Sequence, residues 1–397
     1  MLNSEIELST VIVDIAAGPF GSNLKVSSFV PVGFPIIDGA NLKGYKVTDN
    51  ITKFVTEEKA RSLYRSIAKR NDVIVTISGT LGQIAYIPED SQFQEYLCSQ
   101  RQFRVTFDTS KVYVPYLVFY FHTYEGQNKI LSFANQTGVP ALSQPLKNFK
   151  KIKLNLPEIK EQQRIARVIE NLNNKIEINN KINDNLQQQA FLLFERLLIN
   201  SAHTECTLDC IASINPKRNL SKNKIARCIE MSRLSTESAF PSGWEEKIFN
   251  GGMRFANGDT LLARITPCLE NGKASFINFL DPSEVAFGST EYIVLASKGI
   301  VPPEFLYCLV RSSAFREYAI KNMNGSSGRQ RVSADSIGNF KLPHPKAEAL
   351  MQFQHIVSPF FQKMKFNFLE NLHLTALRDT LLPKLMSGEI DVSDIAL

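Results

Sequence analysis

Residues 165–197 read IARVIENLNNKIEINNKINDNLQQQAFLLFERL. Apolar side chains fall at Ile165, Ile169, Leu172 and Ile176, and again at Leu186, Ala190, Leu193 and Leu197. Both quartets step by four, three and four, and Asn179 and Asn183 fill the gap in register. A stripe of this period is a coiled-coil seam, so the stretch reads as one long helix. At about 1.5 Å per residue it spans about 50 Å. The stripe is too narrow to bury itself, and the helix needs a partner.

The nearest partner is in the same chain. Adding 188 to each position gives Phe353, Val357, Phe360, Met364, Asn367, Asn371, Leu374, Arg378, Leu381 and Leu385. Both Asn return as Asn, and only Arg378, opposite Ala190, changes class. Under the same shift Pro157 falls on Pro345 and Pro115 on Pro303. Upstream, Asn71-Asp72-Val73-Ile74-Val75 resembles Gly258-Asp259-Thr260-Leu261-Leu262, each a turn into a strand. Pro115 and Pro303 each suit the first turn of a helix. Residues 137–143 pair with 327–333, and both are followed by short strand-like segments at 152–154 and 340–342.

Each half therefore reads as a β-rich mixed domain followed by one long helix. The expected fold is α/β in the mixed, α+β sense. It has two β-rich globular domains related by pseudo-two-fold symmetry and separated by two long antiparallel coiled-coil helices. The boundaries are 1–157, 158–200, 201–345 and 346–397. Asn179, Asn183, Asn367 and Asn371 are candidates for setting helix register, because a buried Asn in a seam costs stability but fixes alignment.

The chain has 397 residues, 44% hydrophobic and 21% charged, which excludes disorder as its main state. No apolar run reaches the roughly 18–20 residues of a membrane span, and the N-terminus does not resemble a signal peptide. Six Cys in a chain of this length make no disulfide framework, and a reducing, cytoplasmic setting is expected. Residues 1–157 hold 17 basic and 13 acidic side chains and residues 201–345 hold 17 and 14. The two helical segments are net zero and −1, so the overall +6 resides in the two domains. Two mildly basic domains held apart by a rod suit duplex DNA, whose equivalent groove faces recur about every 34–36 Å. Charge this modest supports only weak phosphate attraction by itself.

Several segments resemble the specificity subunit of type I restriction–modification systems. They are Gly18-Pro19-Phe20-Gly21-Ser22-Asn23-Leu24-Lys25, residues 156–165 (LPEIKEQQRI), residues 262–273 (LARITPCLENGK) and residues 381–390 (LLPKLMSGEI). Together with the domain–helix–domain–helix order, the similarity covers essentially the whole chain. The second helix start, Ala347-Glu348-Ala349-Leu350-Met351-Gln352, departs from it by lacking the Glu-Gln-Gln of the first. The resemblance implies two target recognition domains that bind a split, asymmetric sequence in double-stranded DNA. It implies docking of two modification (methyltransferase) subunits and of restriction (translocase and nuclease) subunits. S-adenosylmethionine, ATP and Mg²⁺ would all be bound by those partners, and this chain would be non-catalytic.

The decoys agree with a chain lacking its own active site. Asn215-Pro216-Lys217 lacks the second Pro and the aromatic of an amino-methyltransferase loop. Gly272-Lys273 is not a phosphate loop, because Pro267 and Ala274 occupy its Gly and Ser/Thr positions. Glu158-Ile159-Lys160 has nuclease-like spacing without a paired Asp. Cys206, Cys210 and His203 make no zinc set.

Loops carrying Arg, Lys, Asn, Gln and Ser/Thr are the expected DNA contacts. In the first domain these are Ser22, Asn23 and Lys25, the cluster Asn41, Lys43 and Tyr45, and Arg101. In the second they are Arg264, Thr266, Asn271 and Lys273, with Arg329, Gln330 and Arg331 in the Gly-rich loop 325–331. The alternative for each is a solvated or carbonyl-capping loop residue. For the whole chain, the alternative is a coiled-coil scaffold that joins two protein-binding domains without touching DNA.

Overall fold

The computed structural model describes residues 5–135, 139–201, 205–326 and 328–395. Thr137, Gly138, His203 and Ser327 lie outside the described residues. The chain forms two compact units, Met1–Asn173 with Ala376–Leu397, and Asn174–Thr375. The two long helices, Ile159–Ile199 and Ala347–Met386, each contribute to both.

In the first unit a four-stranded antiparallel sheet has the order Ile12–Ala17, Gln102–Phe107, Val73–Thr76, Ile84–Tyr86. A five-stranded sheet carries one parallel pair, Phe34–Ile37 with Glu95–Cys98. The second unit repeats the first sheet as Ala212–Ile214, Tyr292–Ser297, Thr260–Ala263, Ala274–Phe276. A further sheet of this unit has four strands and again one parallel pair, Ile225–Ile229 with Ala286–Gly288. Mostly antiparallel sheets with helices set apart from them make the architecture α+β.

The repeat reaches individual hydrogen bonds. Asn71 and Gly258 both take positive φ, 68° and 88°. The next residue in each case, Asp72 or Asp259, is buried and accepts a backbone N–H from three residues back. Asn71 N–H bonds Ile87 O at 2.8 Å, and Gly258 N–H bonds Ile277 O at 2.7 Å. The turn needs a left-handed residue, which Asn and Gly supply at least strain. The short helix after each sheet begins with the expected proline in its first turn and is buried along its length, as Val114–Phe121 and as Pro303–Arg311 up to Val310.

The long helices pair antiparallel within each unit. In the first, Ile165, Ala166 and Ile169 pack with Leu382 and Leu385. In the second, Ala190, Phe194 and Leu197 share a core with Phe353, Val357, Phe361 and Met364. Also in the second unit, Asn179 Nδ2 donates to Asn371 Oδ1 at 2.9 Å, and Asn367 Nδ2 donates to Asn183 Oδ1 at 2.8 Å. Asn179 and Asn367 are fully buried. Arg378 departs from the stripe because it has a different task. Its guanidinium lies 5.5 Å above the Tyr45 ring and donates to Asn173 Oδ1 at 3.1 Å.

Two expectations need correction here. The distal segment is helical only to Met386, and Ile390, Val392 and Ile395 return to cover Ile165 and Ile169. Tyr45 is not a free DNA contact. Its ring is wedged against Phe119 at 4.8 Å and His122 at 4.4 Å, with Arg378 over it.

The missing Glu-Gln-Gln of the second helix start also has a physical meaning. Gln162 is fully buried. Its Nε2 donates to the carbonyls of Lys111 and Pro157, both at 2.8 Å, and its Oε1 accepts from Tyr113 N–H at 2.8 Å. The matching Leu350 is also buried, but in an apolar core. Gln162→Leu leaves the Tyr113 N–H and two carbonyls without partners. The expected loss is about 1–3 kcal/mol, measured by urea unfolding.

His122 generates a pH prediction. Burial holds its pKa below the ordinary value of 6.5, Arg378 adds to the depression, and the bond to Ile84 O opposes it. The unfolded chain therefore takes up the proton more readily. The stability that neutral His122 contributes is complete above pH 6.5 and is lost as the pH falls through the lower, folded-state value. Urea unfolding from about pH 7.5 down to about pH 5 should show declining stability, and His122→Gln should flatten that slope.

Candidate nucleic-acid interface

In the first unit the loop at residues 18–25 is pressed against the turn at residues 99–102. Gly18 N–H bonds Gln102 O at 2.8 Å, and a Cβ on Gly18 would lie 1.9 Å from Ser99 O. Only glycine permits that approach. Beyond it Ser22, Asn23 and Lys25 are exposed.

Loop and turn border a cleft of about 600 Å³. Its polar lining includes Lys53, Thr76, Gln83, Gln100, Arg101 and Gln102. Arg101 is exposed, whereas Arg104 is buried against Asp14 at 2.6 Å, so only the former faces outward. Asp38 pairs with Lys53 at 2.6 Å. Gln83 Nε2 donates to Gly39 O at 3.0 Å and Gln102 is buried, so exposed Gln100 and Arg101 are the lining donors better suited to the acceptor-rich edges of bases and phosphates.

Asn41 lies in the same region but is not available. Its Nδ2 donates to the carbonyls of Thr48 and Asn50, at 3.3 and 3.1 Å, and its Oδ1 accepts from Asp38 N–H at 3.0 Å. It is a buried clamp for its own loop, and the expectation of a DNA contact there is corrected. Lys43 is exposed.

The second unit builds its edge the same way. Arg264 O accepts from Val332 N–H, and Gln330 O accepts from Thr266 N–H, both at 3.0 Å. In the first unit Ile77 O accepts from Leu142 N–H at 2.8 Å and Pro140 O from Gly79 N–H at 3.0 Å. The frame thus matches Ile77 with Arg264 and Leu142 with Val332. It also matches Arg101 with Glu291, because Ile77 N–H bonds Arg101 O at 2.7 Å and Arg264 N–H bonds Glu291 O at 3.0 Å.

Glu291 is the residue that sequence reasoning missed. Its carboxylate accepts from Arg331 Nε and Nη2 at 2.8–3.0 Å and lies 3.9 Å from Arg264 Nε. The Arg331 hydrogen bonds hold its pKa below the usual carboxylate value. The candidates Arg264, Thr266, Gln330 and Arg331 therefore meet in one cluster, but Arg331 is clamped rather than free. Arg329 and Asn271 are exposed. Lys273 is half-buried and donates to Met231 O at 3.0 Å, which tethers it to its loop.

The cleft lining in the first unit was only partly legible. The run Ser99-Gln100-Arg101-Gln102 breaks two strand-like segments with side chains rich in donors. That interruption is the signal by which Gln100 and Gln102 could have been found. Glu291 offered no comparable signal. Among the described residues no group of three or more His, Cys, Asp or Glu is placed to hold a metal ion, and no helix is long and apolar enough to cross a membrane.

Comparison with known proteins bears on this surface. Residues 33–188 match the family described as the type I restriction modification DNA specificity domain. The specificity subunit of type I restriction enzyme EcoAI from Escherichia coli is 32% identical over 178 residues, covering 43% of this chain and 30% of that subunit. The match therefore spans under a third of the EcoAI subunit. The specificity subunit of type I restriction enzyme MjaIX from Methanocaldococcus jannaschii is 22% identical and covers 96% of this chain and 92% of its own. The S subunit of a type I restriction-modification system from M. genitalium shares the fold. It aligns over 96% of this chain and 95% of its own, with a TM-score of 0.56 and 18% identity.

Proposed function

We propose that the chain, whose residues 33–188 match the type I restriction modification DNA specificity domain, is the sequence-recognition subunit of a type I restriction–modification enzyme. It binds a bipartite, asymmetric DNA target with an unread gap, one half-site per unit. It docks two modification subunits and, with them, the restriction subunits. S-adenosylmethionine, ATP and Mg²⁺ are held by those partners, and this chain performs no chemistry itself. The complex works in the cytoplasm.

One observation carries this reading. The two units repeat the same sheet order and the same loop-closing hydrogen bonds, yet the matched loops bear unlike side chains, with Arg101 opposite Glu291. Two equivalent frames with different reading edges suit two different half-sites. The scaffold alternative gives no reason for amide and guanidinium groups to gather at the matched edge of both units.

Methylome mapping of cells that express the complete operon tests the proposal. The expected result is one methylated motif with two unequal specified parts and an unspecified gap. A continuous or palindromic motif overturns the bipartite reading.

Binding of the purified complex to duplex provides a second measurement. Affinity should fall linearly on a log–log plot against salt, with a slope of about −0.9 per neutralised phosphate. Single base-pair changes in either half-site should each cost about 1–3 kcal/mol, and changes in the gap should cost almost nothing. Salt-insensitive binding would favour the scaffold.

A further inference from the structure

Arg331 has five N–H donors in a planar fork. Its Nε and Nη2 bond Glu291 at 2.8–3.0 Å, and its Nη1 bonds the Arg329 carbonyl at 3.0 Å. One N–H remains on each terminal nitrogen. The side chain is 39% exposed, which leaves room for an incoming pair of acceptors.

The surroundings fix the fork in place. Glu291 N–H is itself capped by Ser289 Oγ at 3.1 Å, just before the strand Tyr292–Ser297. The Arg331 backbone is pinned to Asn324 by two hydrogen bonds of 2.9 Å. Arg264 Nε is buried without a hydrogen-bond partner, 3.9 Å from the same carboxylate. One acid therefore stands between two guanidinium groups that would otherwise repel each other. At the matched position the first unit carries Arg101 and no acid, so this clamp belongs to the second unit alone.

We propose that Glu291 is a positioning residue that holds Arg331 so that its remaining two N–H groups read the O6 and N7 acceptors of one guanine in the major groove. The proposal rests on the DNA-recognition reading above and adds to it the base, the contacting residue and the residue that aims it. Guanine is the base whose major-groove edge presents two adjacent acceptors, which a guanidinium fork matches bidentately. Arg329, two residues earlier, is exposed.

The test uses the full chain in its complex and duplexes carrying the mapped target. Each guanine of the half-site assigned to the second unit is replaced singly by 7-deazaguanine, which removes N7 and leaves Watson–Crick pairing intact. One replacement should weaken wild-type binding by about tenfold or more. R331K should lose a similar factor on the native duplex and become indifferent to that replacement. E291Q should lose discrimination at the same guanine while binding non-specific duplex more tightly, because it removes a negative charge. The double variant E291Q/R331K should discriminate no worse than R331K alone, the signature of one residue acting through the other.

A merely structural Glu291 would lower specific and non-specific binding together, and that outcome overturns the proposal. So does a half-site in which no 7-deazaguanine matters, or one without guanine. If the wild-type complex shows no sequence preference on any duplex, the DNA-recognition reading fails as well. That result is distinct from preference without guanine sensitivity, in which only the present proposal fails.

Discussion

The architecture depends on a seam that neither long helix can bury alone. The helices run for 41 and 40 residues, and each carries an apolar stripe. Helices of this kind owe most of their stability to packing of the apolar face rather than to local propensity. Within each unit the two helices pair antiparallel. The buried amides of Asn179 and Asn367 then discriminate between alignments. In the observed one each donates to an Asn of the facing helix. An alignment that set either amide against an apolar side chain would leave it unpaired, at a cost of about 1–3 kcal/mol.

The same logic of closed hydrogen bonds explains how the two units keep one frame with different edges. The turns at Asn71 and Gly258 are held by a buried aspartate and by backbone bonds that need only the right φ. The loop closures at residues 77–79 and 264–266 rest on backbone hydrogen bonds, joined at Thr266 by one from its Oγ1 to Gln330 O. Side chains pointing outward from these loops are therefore released from structural duty and can diverge. Arg101 and Glu291 show how far, since equivalent backbone positions carry opposite charges.

Not every polar loop residue has that freedom. Asn41, Tyr45 and Lys273 have the composition of contact residues, yet each is engaged by its own unit. Asn41 ties carbonyls of its loop, Tyr45 separates His122 from Arg378, and Lys273 caps Met231. Ser22, Asn23, Lys25, Lys43, Arg101, Asn271 and Arg329 are exposed. The distinction lies in where the donors and acceptors are already satisfied, and residue type alone does not report it.

The amino-acid sequence by itself determined the two long helices, their repetition at an offset of 188, the β-rich character of each half, and the turns at Asn71 and Gly258. These features follow from periodicity and local backbone preference, which are written in neighbouring residues. Tertiary structure alone decided that Arg378 leaves the seam for Tyr45, and that residues beyond Met386 turn back onto the helix. It also decided that Gln162 locks the first helix start, and that Glu291 clamps Arg331. Most partners of those side chains are brought together from distant parts of the chain, such as 40 residues apart for Glu291 and Arg331 and 205 for Asn173 and Arg378. Hydrogen bonds and ion pairs act over a few ångströms of space. Which residues share that space is set by closure of the whole fold, and no local pattern carries the information.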